Sequence, residues 1–256
     1  MNKEEVIVSF DIGARNLGCC VLKKRTTKEN ELPEIIYWNL INILEDDKPN
    51  EKTCTTIMKS GKKKGQVCSR ISYYNCKETK EPVCKIHDSQ KRNKPKVKKV
   101  KSYTTQEINT KLLERMNEVN EEYNFCKNVD TVLLELQPSF NPKMKQLSHT
   151  LYSWFLMEKI KNPENRMKKI EFVAAKNKLK KIGDIYDGPA ITTSLKGKYP
   201  RTKFFSKEYT TWFISNEEEQ FKCLLRDSKK KDDLCDSYLQ GVWFFLFKKG
   251  SYKKKK

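Results

Sequence analysis

The spacing of apolar residues changes along this chain, and each change marks an element. Glu5–Phe10 is an apolar, β-branched run that predicts a buried strand. Asp11-Ile12-Gly13-Ala14-Arg15-Asn16-Leu17-Gly18 reads as a turn. Cys19–Lys24 reads as a second strand, Arg25–Glu31 as a hairpin-type connection, and Ile35–Leu40 as a third strand, the three antiparallel. Periodicity then fades from Glu45 to Ser102. It returns at Thr104, where Thr104-x-x-Glu107 forms a capping box and Ile108, Leu112, Met116, Val119 and Tyr123 share one helical face. Val129–Leu136 is a buried strand. Asn141–Lys161 is helical after Pro142, with Met144, Leu147, Leu151, Phe155 and Ile160 on one side. Ile170–Ala174 is a fifth strand, and Gly183–Arg201 a basic loop punctuated by Gly and Pro. Helix is expected over most of Ser206–Arg226, and a last helix over Asp232–Phe247.

The order β-β-β-(insert)-α-β-α-β-loop-α-α predicts an α/β fold, a mixed five-stranded sheet flanked by helices. Residues 1–44 and 103–250 form one discontinuous domain in this reading. Residues 45–88 form an inserted module, 89–102 a basic linker and 251–256 a basic tail.

Charge narrows the partners. Lys and Arg number 53 against 33 Asp and Glu, a formal +20, and such a surface suits a polyanion. Nucleic acid is favoured over an anionic membrane, which would call for a basic amphipathic helix with a clean apolar face. The longest apolar stretch, Val242–Phe247, is far short of the roughly 18 residues of a spanning helix, so no membrane partner is expected. The first residues lead straight into a strand and read as no signal peptide. Lys253–Lys256 reads as a solvated tail, with nuclear import as the alternative. Nine cysteines without a secretory signal point to a reducing, intracellular compartment and no disulfide framework. Cys19, Cys20, Cys126, Cys223 and Cys235 read as small buried residues.

The acidic residues carry the chemistry. Asp11 ends the first strand, Glu135 lies near the end of VLLELQP, and Asp232, Asp233 and Asp236 open the last helix. Helical spacing puts Asp236 on the same face as both of its predecessors. Taken singly, Asp11 before Gly13 suits a turn, and acids at a helix start cap it and complement its dipole. Glu135 is harder to dismiss: alternation puts it on one strand face with Leu133, where an ionised group is costly unless paired or metal-bound. Together the acids suit phosphodiester cleavage with two Mg²⁺ ions about 4 Å apart, Mn²⁺ being a substitute.

FDIGARNLG, VLLELQP and KKKDDLCDSYLQG, in this order, resemble the motifs of RuvC-type Holliday junction resolvases of the RNase H-like superfamily, above all those of poxviruses and other large DNA viruses. The resemblance covers about residues 5–43 and 104–248 and leaves out the insert. It implies an RNase H-like fold, and Asp11, Glu135, Asp233 and Asp236 as Mg²⁺ ligands, with Asp232 as an alternative. It also implies a homodimer that places symmetric nicks across branched DNA, and, for a viral protein, work in the host cytoplasm or the nucleus. Gln137 follows the strand acid and lines the site in this reading. Lys176 or Lys178, in VAAKNKLK, matches the place of a basic residue facing the scissile phosphate, with plain DNA-backbone contact or solvent exposure as the alternative.

The insert has its own chemistry. Cys84-x-x-His87 is a tight chelating pair, and Cys54 with Cys68 would complete four ligands for a structural Zn²⁺, with Cys76 as a replacement for Cys54 or Cys68. The segment has too few apolar residues to fold by burial alone, so metal binding would supply folding free energy. It looks like small cysteine–histidine modules of giant-virus proteins, and the typical resolvase lacks it. Lys62–Lys64 make it a candidate DNA grip, and His149 reads as a surface or packing residue.

Two rival functions follow from the same residues. A non-catalytic, zinc-containing nucleic-acid-binding protein on a nuclease scaffold would not need to keep all the acids. An actin-like ATPase also begins with a strand and an Asp-x-Gly loop, but it carries small hydroxylated residues where Ala14 and Arg15 stand, and needs two lobes.

Overall fold

A computed structural model describes residues 4–25, 31–44, 52–72, 74–92 and 99–248. The expected connection over 26–30, the middle of the basic linker and the whole lysine tail lie outside these residues.

In chain order the elements are β1 Val6–Ile12, β2 Asn16–Lys23 and β3 Glu34–Asn42, then β4 Tyr74–Asn75 and β5 Pro82–Val83 in the insert. There follow α1 Thr105–Tyr123, α2 Phe125–Asn128, β6 Thr131–Leu136, α3 Pro142–Lys161, β7 Lys169–Ala174, α4 Lys198–Phe213, α5 Glu219–Asp227 and α6 Lys231–Trp243. The chain divides into two compact units, one of residues Met1–Ile43 with Thr104–Lys256, the other Leu44–Tyr103.

The larger unit is the expected mixed five-stranded sheet. Its order is β3-β2-β1-β6-β7. β1 pairs with β2 and β2 with β3 antiparallel, while β1–β6 and β6–β7 are parallel. The alternation of β1 decides what each face holds. Phe10 meets the rings of Phe125 and Phe155 on one face. Ile7 turns to the other, into a core with Leu133, Val173, Leu234, Tyr238 and Val242. Ser9 shares that face, where its hydroxyl oxygen accepts from Gln240 Nε2 at 3.0 Å. Asp11, two residues on, therefore looks toward α6.

Glycine lets α6 lie this close. A Cβ on Gly18 would stand 2.1 Å from the carbonyl oxygen of Asp233, so β2 accepts the first turn of α6 only because position 18 has no side chain. Trp38 Nε1 of β3 holds the same turn by donating to the Leu234 carbonyl at 3.1 Å. At the opposite end of the sheet, Asp130 accepts from the Val6 amide and from Arg166 Nε, both at 2.9 Å, which ties the start of β1 to the start of β6.

The capping box at Thr104 is formed: its hydroxyl accepts from the Glu107 amide, and the Glu107 carboxylate from the Thr104 amide. Several expectations shift. The basic loop ends sooner, because α4 begins at Lys198 with Pro200 in its first turn, where a missing N–H costs nothing. The helical stretch beyond Ser206 breaks in two before Glu219. Ile160 is exposed, since five residues beyond Phe155 is about 140° around the helix. Cys223 is half-exposed, on the side of α5 away from buried Phe221 and Leu225, and its sulfur accepts from Arg226 Nη2.

The smaller unit is a hairpin followed by the β4–β5 ribbon. It runs past residue 88 into the expected linker, because Arg92 forks onto the buried Asp88 carboxylate (2.8 Å), donates to the Asn75 carbonyl and covers the Tyr74 ring.

Candidate functional site

Parallel strands bring two of the acids together. The β1–β6 register ends with Phe10 opposite Leu134, and the next residues are Asp11 and Glu135. Both sit at carboxyl ends of parallel strands, where open α/β sheets bind ligands. β7 ends alongside at Ala174, and a 3-10 turn over Ala175–Asn177 brings the chain back over the site at Lys178.

Lys178 is 5% exposed, and its ammonium is the centre of the cluster. Nζ lies 2.5 Å from Asp11 Oδ1, 2.9 Å from Glu135 Oε1 and 3.1 Å from Asp236 Oδ2. The three carboxylates come from β1, β6 and α6. Gln137 Nε2 donates to the second oxygen of Glu135 at 2.8 Å, and buried Ser206 on α4 donates to the second oxygen of Asp236, also at 2.8 Å. Lys176, two residues before Lys178, is exposed.

The electrostatics follow from burial and company. Burial pushes the Asp11 carboxyl well up; Lys178 pulls it back, while Glu135 and Asp236 push it further. For Glu135 burial acts the same way, but Lys178 and hydrogen bonds outweigh it and hold the pKa below the usual range. Burial works against the charge of Lys178, yet Asp11, Asp236 and Glu135 together keep its pKa raised.

The acid pair at the start of α6 splits. Asp232 ion-pairs with Lys203 of α4, which overcomes burial and lowers its pKa. Asp233 has no ion pair among the described residues, and burial, then Asp232 and Asp236, raise its pKa. Phe140, 87% exposed, stands on the loop between β6 and α3, five residues after Glu135.

In the smaller unit Cys54, Cys68, Cys84 and His87 form a group whose ligand atoms all lie within 4.8 Å of one another. His87 Nδ1 is 3.4 Å from Cys54 Sγ and 3.7 Å from Cys84 Sγ, and the Cys68 and Cys84 sulfurs are 3.9 Å apart. With metal–sulfur bonds of about 2.3 Å, a tetrahedron has sulfur–sulfur edges of about 3.8 Å. The group is therefore already sized for a tetrahedral ion. Hydrogen bonds shared with Thr56 and His87 overcome burial and bring the Cys54 thiol down to about 6. Cys76 stands outside this group and is half-exposed. His149 is exposed and lies against the Phe172 ring.

Three features had no usable sequence signal. Ser206 is an ordinary helix serine until folding aims it at Asp236. The Gln240–Ser9 bond joins residues 231 apart, and the Asp130–Arg166 pair is two lone charges in the sequence.

No family model matches the chain. An uncharacterised protein of Acanthamoeba polyphaga mimivirus is 28% identical, across 94% of this chain and 74% of the relative. Among solved structures, the yeast mitochondrial Holliday junction resolvase gives a TM-score of 0.47 at 13% identity, covering 93% of this chain and 78% of that one. Fowlpox virus resolvase in complex with Holliday junction DNA gives 0.43 at 14% identity, with 94% and 99% covered. T. thermophilus RuvC with its junction substrate gives 0.44 at 9% identity, with 98% and 99% covered. At these scores the likeness carries no weight for site or activity. Among the described residues, no helix is long and apolar enough to cross a membrane.

Proposed function

We propose that this chain is a metal-dependent DNA endonuclease that resolves four-way junctions by paired symmetric nicks. The observation that carries the reading is the convergence of Asp11, Glu135 and Asp236, from three separate elements, on a single cationic point. The donors are all carboxylate oxygens, the hard ligand set that Mg²⁺ and Mn²⁺ prefer. They already surround a positive charge, so the residues fit divalent cations. Asp233 is the fourth ligand in this reading, because Lys203 engages Asp232 instead. When bound, a pair of such ions activates the attacking water and steadies the leaving oxygen.

The chain's own residues supply the rest. Gln137 orients the Glu135 carboxylate, and Ser206 orients Asp236. Lys176 is free to meet a phosphate, and Lys178 balances the acids. Phe140 offers an exposed ring on which a base can stack. The net charge of +20 supplies sequence-independent affinity for the backbone. Junction geometry as the substrate rests on the motif resemblance. The test is Mg²⁺-dependent cleavage of a synthetic four-way junction beside linear duplex. Absence of cutting under any divalent ion would leave the non-catalytic reading.

Paired nicks need two sites, hence the homodimer. Leu156, Met157 and Ile160 share one exposed face of α3 and are its candidate contact. Met157→Asp with Ile160→Asp is expected to turn a dimer into a monomer by sedimentation, and paired cuts into single nicks. An unchanged sedimentation coefficient would place the contact elsewhere.

In this reading the smaller unit holds a structural Zn²⁺ on Cys54, Cys68, Cys84 and His87, and a reducing intracellular compartment keeps those thiols available. Metal analysis of purified protein is expected to find one zinc per chain. Cys84→Ser should abolish it and Cys76→Ser should leave it. The reverse pattern would make Cys76 a ligand.

A further inference from the structure

The hairpin over residues 53–71 has two unlike faces. Thr53 bridges to Ile71 and Ile57 to Val67, antiparallel. The Cys54 amide donates to the Arg70 carbonyl, and the Cys68 amide to the Thr56 carbonyl, so the register is constant along the ribbon. Alternation then separates the side chains. Cys54, Thr56, Met58 and Cys68 turn inward, toward the metal-ligand group. Ile57, Val67 and Ile71 turn outward and stay 59%, 55% and 55% exposed.

The tip is equally one-sided. Gly61 and Gly65, at φ +82° and +83°, close the turn, and all residues from Lys59 to Gly65 are exposed, Lys62, Lys63 and Lys64 among them. Residues 52–72 include six Lys and Arg and no Asp or Glu. Three β-branched apolar side chains thus stand in water along one face. A wholly basic tip at their end favours a polyanion over a protein surface.

We propose that this hairpin is a DNA-binding β-ribbon that lies in the major groove of duplex DNA. The groove, about 12 Å wide, admits a two-stranded ribbon. The tip lysines then meet phosphates, while Ile57, Val67 and Ile71 face sugars and thymine methyl groups, which apolar side chains contact. The ribbon shares no residue with the carboxylate cluster. A chain that fails to cut junctions still tests it.

The experiment uses the full chain with zinc bound and without magnesium, and follows binding to a fluorescent linear duplex by anisotropy across a range of KCl. Each lysine that neutralises a phosphate adds about 0.9 to the slope of log affinity against log salt. Replacing Lys62, Lys63 and Lys64 together by Ala is expected to reduce that slope by about 2 to 3 and weaken binding at moderate salt. Ile57→Ser with Val67→Ser is expected to weaken binding with the slope unchanged, zinc content staying at the wild-type level in both. In the unmodified protein, duplex should protect Lys62–Lys64 from acetylation, read by peptide mass spectrometry. Wild-type slope and affinity in the lysine variant, or no protection, would overturn the proposal. So would a change of sedimentation in the Ile57/Val67 variant with DNA affinity intact, which would assign the face to a second copy.

Discussion

Asp11→Asn is expected to lower junction cleavage by about 10³-fold or more, equivalent to about 4 kcal/mol of transition-state stabilisation, while leaving the protein as stable as before or more so. The two halves of that result have one cause. Asp11 is buried beside Glu135 and Asp236, and its charge is tolerated only through Lys178. Asparagine keeps the shape and removes a charge that burial and two neighbours oppose. The lone ammonium then faces two carboxylates instead of three, which relieves the metal-free fold. The cost falls on function, because the amide loses one anionic oxygen ligand and its NH₂ can only donate. Gain of stability with loss of activity is the signature of a strained functional site. Cleavage rates on a four-way junction, paired with urea midpoints, measure both. Wild-type rates in this variant would remove Asp11 from the site. A large loss of stability would make it a structural carboxylate instead.

Much of this arrangement was readable from residue patterns, and what was not has physical reasons. The five strands showed as apolar runs, and alternation put Glu135 on the face of Leu133, where the structure has it. That Asp11 and Glu135 are neighbours was not readable, since parallel pairing joins segments some 120 residues apart and no local rule sets its register. Lys176 and Lys178 could not be told apart. A three-residue 3-10 turn after β7 leaves the first exposed and buries the second, and such a turn has no apolar period. Pro200 misled because proline marks both a loop and the first turn of a helix. How Asp232 differs from Asp233 was not readable either, since it depends on Lys203 of α4, which pairs with Asp232 and lies between the loop expected to end at Arg201 and the helix expected from Ser206. In the insert, unusual spacing left five candidate ligands. The ribbon register and the His87 turn bring four of them together and leave Cys76 aside.

Lys178→Met should produce the opposite imbalance. Without divalent cations the variant is expected to lose about 3 to 5 kcal/mol of stability, the usual cost of removing one partner from a buried ion cluster. Methionine fills much of the same volume, so the loss reports charge more than packing. What remains are three carboxylates, from β1, β6 and α6, with no cation between them. Their repulsion acts on the elements that hold the site together. Added Mg²⁺ should therefore stabilise the variant more than the wild type, in which the lysine ammonium already occupies the centre of the cluster and competes for the same oxygens. A cation that binds only the folded state adds about 2.7 kcal/mol at about 100 times its Kd, so tighter binding in the variant recovers much of the deficit. Urea titrations with and without Mg²⁺, on both proteins, read the two effects separately. Equal stability of the two proteins in the absence of metal would mean that Lys178 does not hold these acids in solution. A deficit that Mg²⁺ leaves untouched would mean that the lysine packs rather than balances charge, and the carboxylates would lose their claim to be a cation site.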